Sequence, residues 1–461
     1  MIMQHCALFP ARLRLSAAGL ALASALSLAT LPARAQELIF TPFHQNGIYA
    51  LGEKAGWTVT LPQGATALSH YTYIIKKNNF DVIAAGALDL SSGSATIETA
   101  LAEPAMLYVE VKPDAPAAPQ GSNAAAPVAA KDPAIHLGAA IAPSQLQPSV
   151  PRPADFDAFW DGKLKALSLI PINPSLTPTQ TSSPGVELYT VELDSLGSHV
   201  QGYLAKPAKE GKFPALLIFE WAGVHALQPA TVTDRAAEGW LAFNVDSHDL
   251  PPSQGTGVTA GYQALGNTDR ETSYFLNMYL RDSRAIDYIA TRPDWDGKNI
   301  VVMGTSMGGH QSLVAAGLNP KVTAVIVNEP AGADSNGDLH GRKAGYPNWD
   351  SDNPKVMETA LYFDTVNFAS RIKAPVLAAM GFIDIVVPPV GVWIAIDQVS
   401  GPKEAIPMVD SNHNNLTPDK IGAFEARSKE VLSIILSGGE FKPNEELTRK
   451  KRLTRGREFV P

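Results

Sequence analysis

An α/β core with a mostly parallel sheet, preceded by a small all-β sandwich, follows from three features of the chain. Apolar strand-like runs alternate with amphipathic helical runs from Ala215 to Gly381, and that alternation implies a parallel sheet covered by helices. Short β-rich runs broken by turn residues fill Leu38 to Val111, the pattern of a sandwich. Between the two regions, residues 113–133 hold five prolines, many alanines and a Gly-Ser-Asn break, which reads as an exposed, extended linker.

The amino terminus has its own pattern. Arg12 and Arg14 precede an apolar stretch from Leu15 to Leu31, and Ala33-Arg34-Ala35 supplies the small-x-small site of a cleaved export signal. A signal peptide is therefore expected over 1–35, with a mature chain beginning near Gln36 in the periplasm or the medium. The competing reading is a membrane anchor, which needs roughly 18 uninterrupted apolar residues. This run is short, rich in alanine and serine, and ends in the cleavage pattern, and no later stretch approaches that length.

Composition narrows the function classes. The one cysteine, Cys6, lies inside the signal, so thiol catalysis, cysteine-metal sites and disulfides are excluded from the mature chain. Removing Arg12, Arg14 and Arg34 takes the formal charge from −8 to −11, which argues against nucleic acid or anionic lipid as a partner and for a neutral substrate. More than 420 of the 461 residues remain, enough for more than one core. The expected division is a sandwich over 36–112, a linker over 113–135, a catalytic domain over 136–440 and a basic, solvated tail over 441–461.

The sandwich reading rests on the runs 56–61, 71–75, 82–86, 95–99 and 106–111, whose alternation and spacing are immunoglobulin-like. No catalytic constellation falls there, so a structural or carbohydrate-positioning role is expected. In the larger domain the strands are expected at 215–219, 241–245, 300–303, 322–328 and 376–381, with a helix around Leu276 to Thr291.

The stretch Asn299-Ile-Val-Val-Met-Gly-Thr-Ser-Met-Gly-Gly-His310 sets a Gly-x-Ser-x-Gly pentapeptide between a strand and a helix expected from Met307 to Leu318. Ser306 is the candidate nucleophile, thrown out at the tip of a strained turn. Gly304 and Gly308 flank it because strand and helix must approach closely there. A serine hydroxyl attacks only when a neutral imidazole takes its proton, and the imidazole needs a carboxylate to hold its tautomer.

In α/β-hydrolases the order is serine, then acid after a later strand, then histidine in a late loop. Asp384 follows the strand ending at Gly381 and precedes Val387-Pro388-Pro389, whose prolines are expected to stop any helix and fix the loop. His413 lies in the polar loop 409–415 after an apolar strand candidate. Glu329, in Asn328-Glu329-Pro330, and Asp410 are rivals for the acid. His310 is expected to pack or cap, whereas His225 and His248 stand in loops at strand ends. No His-x-x-x-His pair or carboxylate cluster proposes a metal, and no cofactor is implied.

Two backbone N–H groups must meet the oxyanion, each contributing about 3 kcal/mol. Met307, directly after the nucleophile, is one. Ala222, in Glu220-Trp221-Ala222-Gly223-Val224, is chosen as the other over its neighbours Trp221 and Gly223. Trp221, Tyr274, Tyr346 and Trp349 stand in loops where either packing or a sugar platform would use them. Packing is the reading adopted, and substrate-binding residues are left unassigned.

Together these stretches resemble the acetyl xylan esterase and cephalosporin C deacetylase family of α/β-hydrolases, in an exported form with an amino-terminal sandwich. Pro153-Ala-Asp-Phe-Asp-Ala-Phe-Trp160 is similar to that family's opening segment, Tyr279 to Pro293 to its long helix, and Gly381-Phe-Ile-Asp384 with Pro388-Pro389 to its acid loop. The resemblance implies removal of short acyl groups, chiefly acetyl, from sugars or polysaccharide. The chain departs from it in Met307 where glutamine is usual, in Glu220-Trp221-Ala222 where histidine-glycine-tyrosine is usual, and in lacking an Arg-Gly-Gln-Gly stretch. An exported serine peptidase, a general short-chain carboxylesterase and a binding protein on an inactive scaffold are the competing readings; the Ser, Asp, His order speaks against the last. Oligomeric state is left open, a homo-oligomer included.

Overall fold

The computed structural model describes residues 38–63, 70–113, 134–258, 261–413 and 417–444. The expected signal segment, the interior of the expected linker and the basic tail beyond 444 lie outside these residues. Among the described residues no helix is long and apolar enough to cross a membrane.

The first strands are β1 (Ile39–Pro42), β2 (Ile48–Tyr49), β3 (Ala55–Thr60), β4 (Tyr71–Lys77), β5 (Asp81–Leu88), β6 (Ser94–Thr99), β7 (Ala105–Pro113) and β8 (Ile135–Ile141). They form two sheets, β1-β3-β6 and β2-β8-β7-β4-β5. Alternate residues such as Leu107, Val109 and Val111 of β7 point into the shared core with Trp57, Val59 and Ile97. β8 pairs antiparallel along β7 from Ala105↔Ile141 to Val111↔Ile135. The chain reaches this strand only after the segment read as a linker, so residues 136–141, expected to open the catalytic domain, pair with β7 in the amino-terminal sheet instead.

The rest of the chain builds β9 (Ser175–Thr179), β10 (Val186–Ser195), β11 (Ser198–Pro207), β12 (Phe213–Phe219), β13 (Leu241–Val245), β14 (Trp295–Thr305), β15 (Ala324–Asn328), β16 (Val376–Gly381) and β17 (Lys403–Met408). They form one nine-stranded sheet in the order β17-β16-β15-β14-β12-β13-β11-β10-β9. β12 to β17 run parallel, whereas β9 to β11 join antiparallel at one edge. That antiparallel edge is absent from the sequence reading.

Helices α1 (Phe156–Ser168), α2 (Ala230–Glu238), α3 (Tyr274–Thr291), α4 (Met307–Leu318), α5 (Pro354–Ala360), α6 (Thr365–Ala369), α7 (Pro389–Gln398) and α8 (Pro418–Leu436) complete the chain. Ala215, Leu217 and Phe219 of β12 pack with α3, α4 and α7 residues on one face, while Leu216 packs with α2 and α8 on the other. Both faces are covered, which is why these strands read as continuous apolar runs. The fold is an α/β-hydrolase core preceded by an all-β sandwich. Met106 and Ala140 of the sandwich turn away from its own interior and join the hydrolase core.

The expected proline stop takes a different form. Pro389 opens α7, where its missing N–H would have no intrahelical acceptor and its fixed φ suits the first turn. The tail also begins later than expected, since Phe441 is buried and the Asn444 N–H donates to Glu404 Oε2 at 2.9 Å.

Candidate active site

Strand β14 delivers its last residue, Thr305, to the carboxyl edge of the sheet, and α4 departs at Met307. Ser306 between them has φ 58° and ψ −120°. A non-glycine residue holds that conformation only when its surroundings over-determine it. Here the Ser306 N–H donates to Asn328 O at 3.0 Å and its carbonyl accepts from Ala331 N at 3.1 Å. A Cβ on Gly304 would lie 2.4 Å from Gly308 C, and one on Gly308 would lie 2.1 Å from Phe219 O. Strand, helix and the end of β12 meet with no room for side chains.

Ser306 Oγ lies 3.0 Å from His413 Nε2, and His413 Nδ1 lies 2.8 Å from Asp384 Oδ2. The other oxygen of Asp384 accepts from the Val386 and Val387 N–H groups, each at 2.8 Å. Those bonds hold the carboxylate with one oxygen free for the ring. Burial works to lower the His413 pKa, but the Asp384 hydrogen bond and charge, with Glu329 behind them, outweigh it and leave it raised. The arrangement suits an imidazole that receives a proton from Ser306.

Of the two rival acids, Asp410 is exposed, lies 3.9 Å from Lys420 and stays apart from the ring. Glu329 does not stay apart. It follows β15 with φ 45°, is fully buried, and places Oε2 3.4 Å from His413 Nδ1. Burial first, and the charge of Asp384 second, push its pKa up to about 8. Glu329, Asp384 and His413 form a tight group of potential metal ligands, but the nitrogen they surround is already committed to Asp384.

Met307 is buried at the head of α4, where the first amides have no intrahelical acceptor. Its Sδ lies 3.2 Å from both Tyr262 Oη and Tyr346 Oη, which are 2.8 Å apart. Facing it is the loop after β12, whose Gly223 N–H donates weakly to Tyr262 Oη at 3.4 Å. That bond engages Gly223, one of the three candidate donors of the loop, elsewhere. His248 secures the loop from beneath: its Nε2 lies 2.9 Å from Gly223 O and its Nδ1 2.9 Å from Tyr274 Oη. Burial pushes the His248 pKa down to about 4, so the ring is neutral, with Nε2–H donating and Nδ1 accepting.

The remaining sequence candidates separate cleanly. His310 is buried against Phe275 and bonded to Tyr279 Oη, a packing residue. His225 stacks on Trp221, with centroids 4.6 Å apart. Trp349 is buried, and Tyr274 and Tyr346 are held by the bonds above; Trp221 alone is open, 56% exposed. Tyr262 escaped the sequence reading, because a tyrosine in a turn-rich loop far from the elbow carries no local signal of its destination.

The comparisons agree with this architecture. The acetyl xylan esterase family profile matches residues 144–336 and 345–427. An acetyl esterase of Xylanibacter ruminicola is 32% identical over 399 residues, covering 81% of this chain and 86% of its own. Acetyl xylan esterase from Paenibacillus sp. R4 superimposes with a TM-score of 0.56 at 24% identity, over 64% of this chain and 98% of that one. Acetyl xylan esterase 1 from Thermoanaerobacterium sp. JW/SL YS485 gives a TM-score of 0.54 at 23% identity, over 62% and 96% respectively. At these identities the structural likeness is one of fold, whereas the profile and the curated relative reach further: the chain belongs to the acetyl xylan esterase family and is a carboxylic ester hydrolase.

Proposed function

We propose that this protein is an exported serine esterase that removes O-acetyl groups from sugars of plant polysaccharide such as xylan. The reading is carried by the relay from Ser306 Oγ through His413 to Asp384, at 3.0 and 2.8 Å, on a strained elbow. Ser306 Oγ attacks the acetyl carbonyl while His413 Nε2 takes its proton. The Met307 and Ala222 N–H groups meet the developing oxyanion. Collapse of the tetrahedral intermediate expels the sugar oxygen, which takes the proton from His413. Water, deprotonated by His413, then attacks the acetyl-enzyme and releases acetate.

Acetate release from acetylated xylan, measured beside hydrolysis of 4-nitrophenyl acetate, butyrate and octanoate, tests this reading. Activity on xylan and on the acetate ester that vanishes in Ser306→Ala supports it. Preference for the longer aryl esters with no release from xylan replaces it with a general carboxylesterase.

A further inference from the structure

Two carboxyl groups, from different strands, address one nitrogen of His413. Asp384 Oδ2 approaches Nδ1 to 2.8 Å from the loop after β16, and Glu329 Oε2 approaches the same atom to 3.4 Å from the end of β15. Charge repulsion between neighbouring carboxylates and the loss of hydration make this arrangement costly unless one of them keeps its proton. Three observations show that Glu329 is held there by construction. Its side chain is fully buried, it has a left-handed φ of 45°, and its N–H is anchored to Ala379 O at 2.9 Å on the neighbouring strand. Neither of its carboxyl oxygens has a hydrogen-bond partner among the described residues. A buried polar group without a bond costs about 1–3 kcal/mol, so its persistence calls for a role.

We propose that Glu329 is a second positioning acid for His413, standing behind Asp384 and able to orient the imidazole through Nδ1 when Asp384 is removed. The proposal rests on the Ser306–His413–Asp384 reading. In the native site Asp384 carries the charge and Glu329 keeps its proton at neutral pH, so the ring faces one anion. With Asp384 replaced by asparagine the like charge disappears while burial, the larger cause, remains, so Glu329 ionises only as the pH rises, and the ionised carboxylate then holds Nδ1–H and supports the imidazolium. The charged groups facing Glu329 are Asp384 and His413; Gly381 also lies close, since a Cβ there would stand 2.8 Å from Glu329 Oε1.

The test compares pH profiles of kcat/KM on 4-nitrophenyl acetate for the native protein, Asp384→Asn, Glu329→Gln and the double variant, with Ser306→Ala alongside. Losing the only acid of a serine triad costs about 10⁴-fold. The expected result is that Asp384→Asn falls by less, about 10² to 10³-fold, with residual activity that rises with pH and disappears in the double variant. Glu329→Gln, nearly isosteric, is expected to lose only a few-fold. Glu329→Asp in the Asp384→Asn background withdraws the carboxylate by one methylene and is expected to lose the residual activity while melting like its parent. Asp384→Asn as inactive as the double variant, or a residual activity with the same pH profile in both, overturns the proposal. Full activity in Ser306→Ala overturns instead the triad reading on which it stands.

Discussion

Phe382, two residues before Asp384, closes against the backbone of Gly138 in the sandwich: a Cβ on Gly138 would lie 2.5 Å from Phe382 Cβ and 2.8 Å from Phe382 O. Gly47 meets the same ring from β2's approach, where a Cβ would lie 3.2 Å from Phe382 Cε2. The amino-terminal sheet thus supports the segment that carries the proposed catalytic acid, and this contact supplies a reason for β8 to cross back into the sandwich before the hydrolase core begins.

Gly138→Val tests that support. The added side chain has no space, and overpacking of this kind costs typically about 1–3 kcal/mol. The expected outcome is a kcat on 4-nitrophenyl acetate reduced by about 10-fold or more with a lowered melting temperature, since small misplacements at a reacting centre are costly. A melting temperature that drops while kcat stays native would separate the sandwich from the site.

His248→Phe keeps a ring of similar shape but removes the donor to Gly223 O and the acceptor from Tyr274 Oη. If the 220–224 loop supplies an oxyanion donor, the loss appears in kcat more than in KM, because such donors act on the transition state. A fall of about 10 to 100-fold in kcat is expected, below the limit for deleting a donor outright. A change confined to KM would assign the loop to substrate binding.

The role proposed for His413 sets the acid limb of the pH profile. Its pKa is raised, with Asp384 outweighing burial, and the general base must be neutral. Activity is therefore expected to fall as pH drops through a midpoint above the ordinary imidazole value of about 6.5. A native midpoint well below 6.5 would detach the limb from this histidine.

Gly308→Ala probes the elbow. One methyl group would sit 2.1 Å from Phe219 O, which is backbone and has no easy retreat. A destabilisation of about 1–3 kcal/mol and a large loss of activity are expected. Chemical denaturation and the 4-nitrophenyl acetate assay read both.

Much of this was legible in the sequence, for reasons that differ by element. The helix after Ser306 has the expected bounds and the strand before it contains the expected run 300–303, though it extends over Trp295–Thr305, because glycine spacing and apolar runs are local signals. β10 alternates buried and less buried residues from Val186 to Leu188 and again from Val191 to Ser195, with a shift of phase at Tyr189-Thr190 that blurs the period before the Gly197 turn into β11. β8 gives no such cue: Ile135-His-Leu-Gly-Ala-Ala-Ile is short and nearly all buried, and its pairing with β7 spans a long intervening segment. Glu329 could be placed near the site from its strand, but its nearness to the same nitrogen as Asp384 depends on how far β15 and β16 reach, which periodicity does not encode.

The most direct measurement is acid-quenched mass spectrometry of the protein during turnover of 4-nitrophenyl acetate. An acetyl group on the peptide containing Ser306, formed within a turnover and absent in Ser306→Ala, is the expected result. Turnover without any acylated peptide, or with acetyl on another residue whose replacement abolishes activity, would contradict Ser306 as the nucleophile.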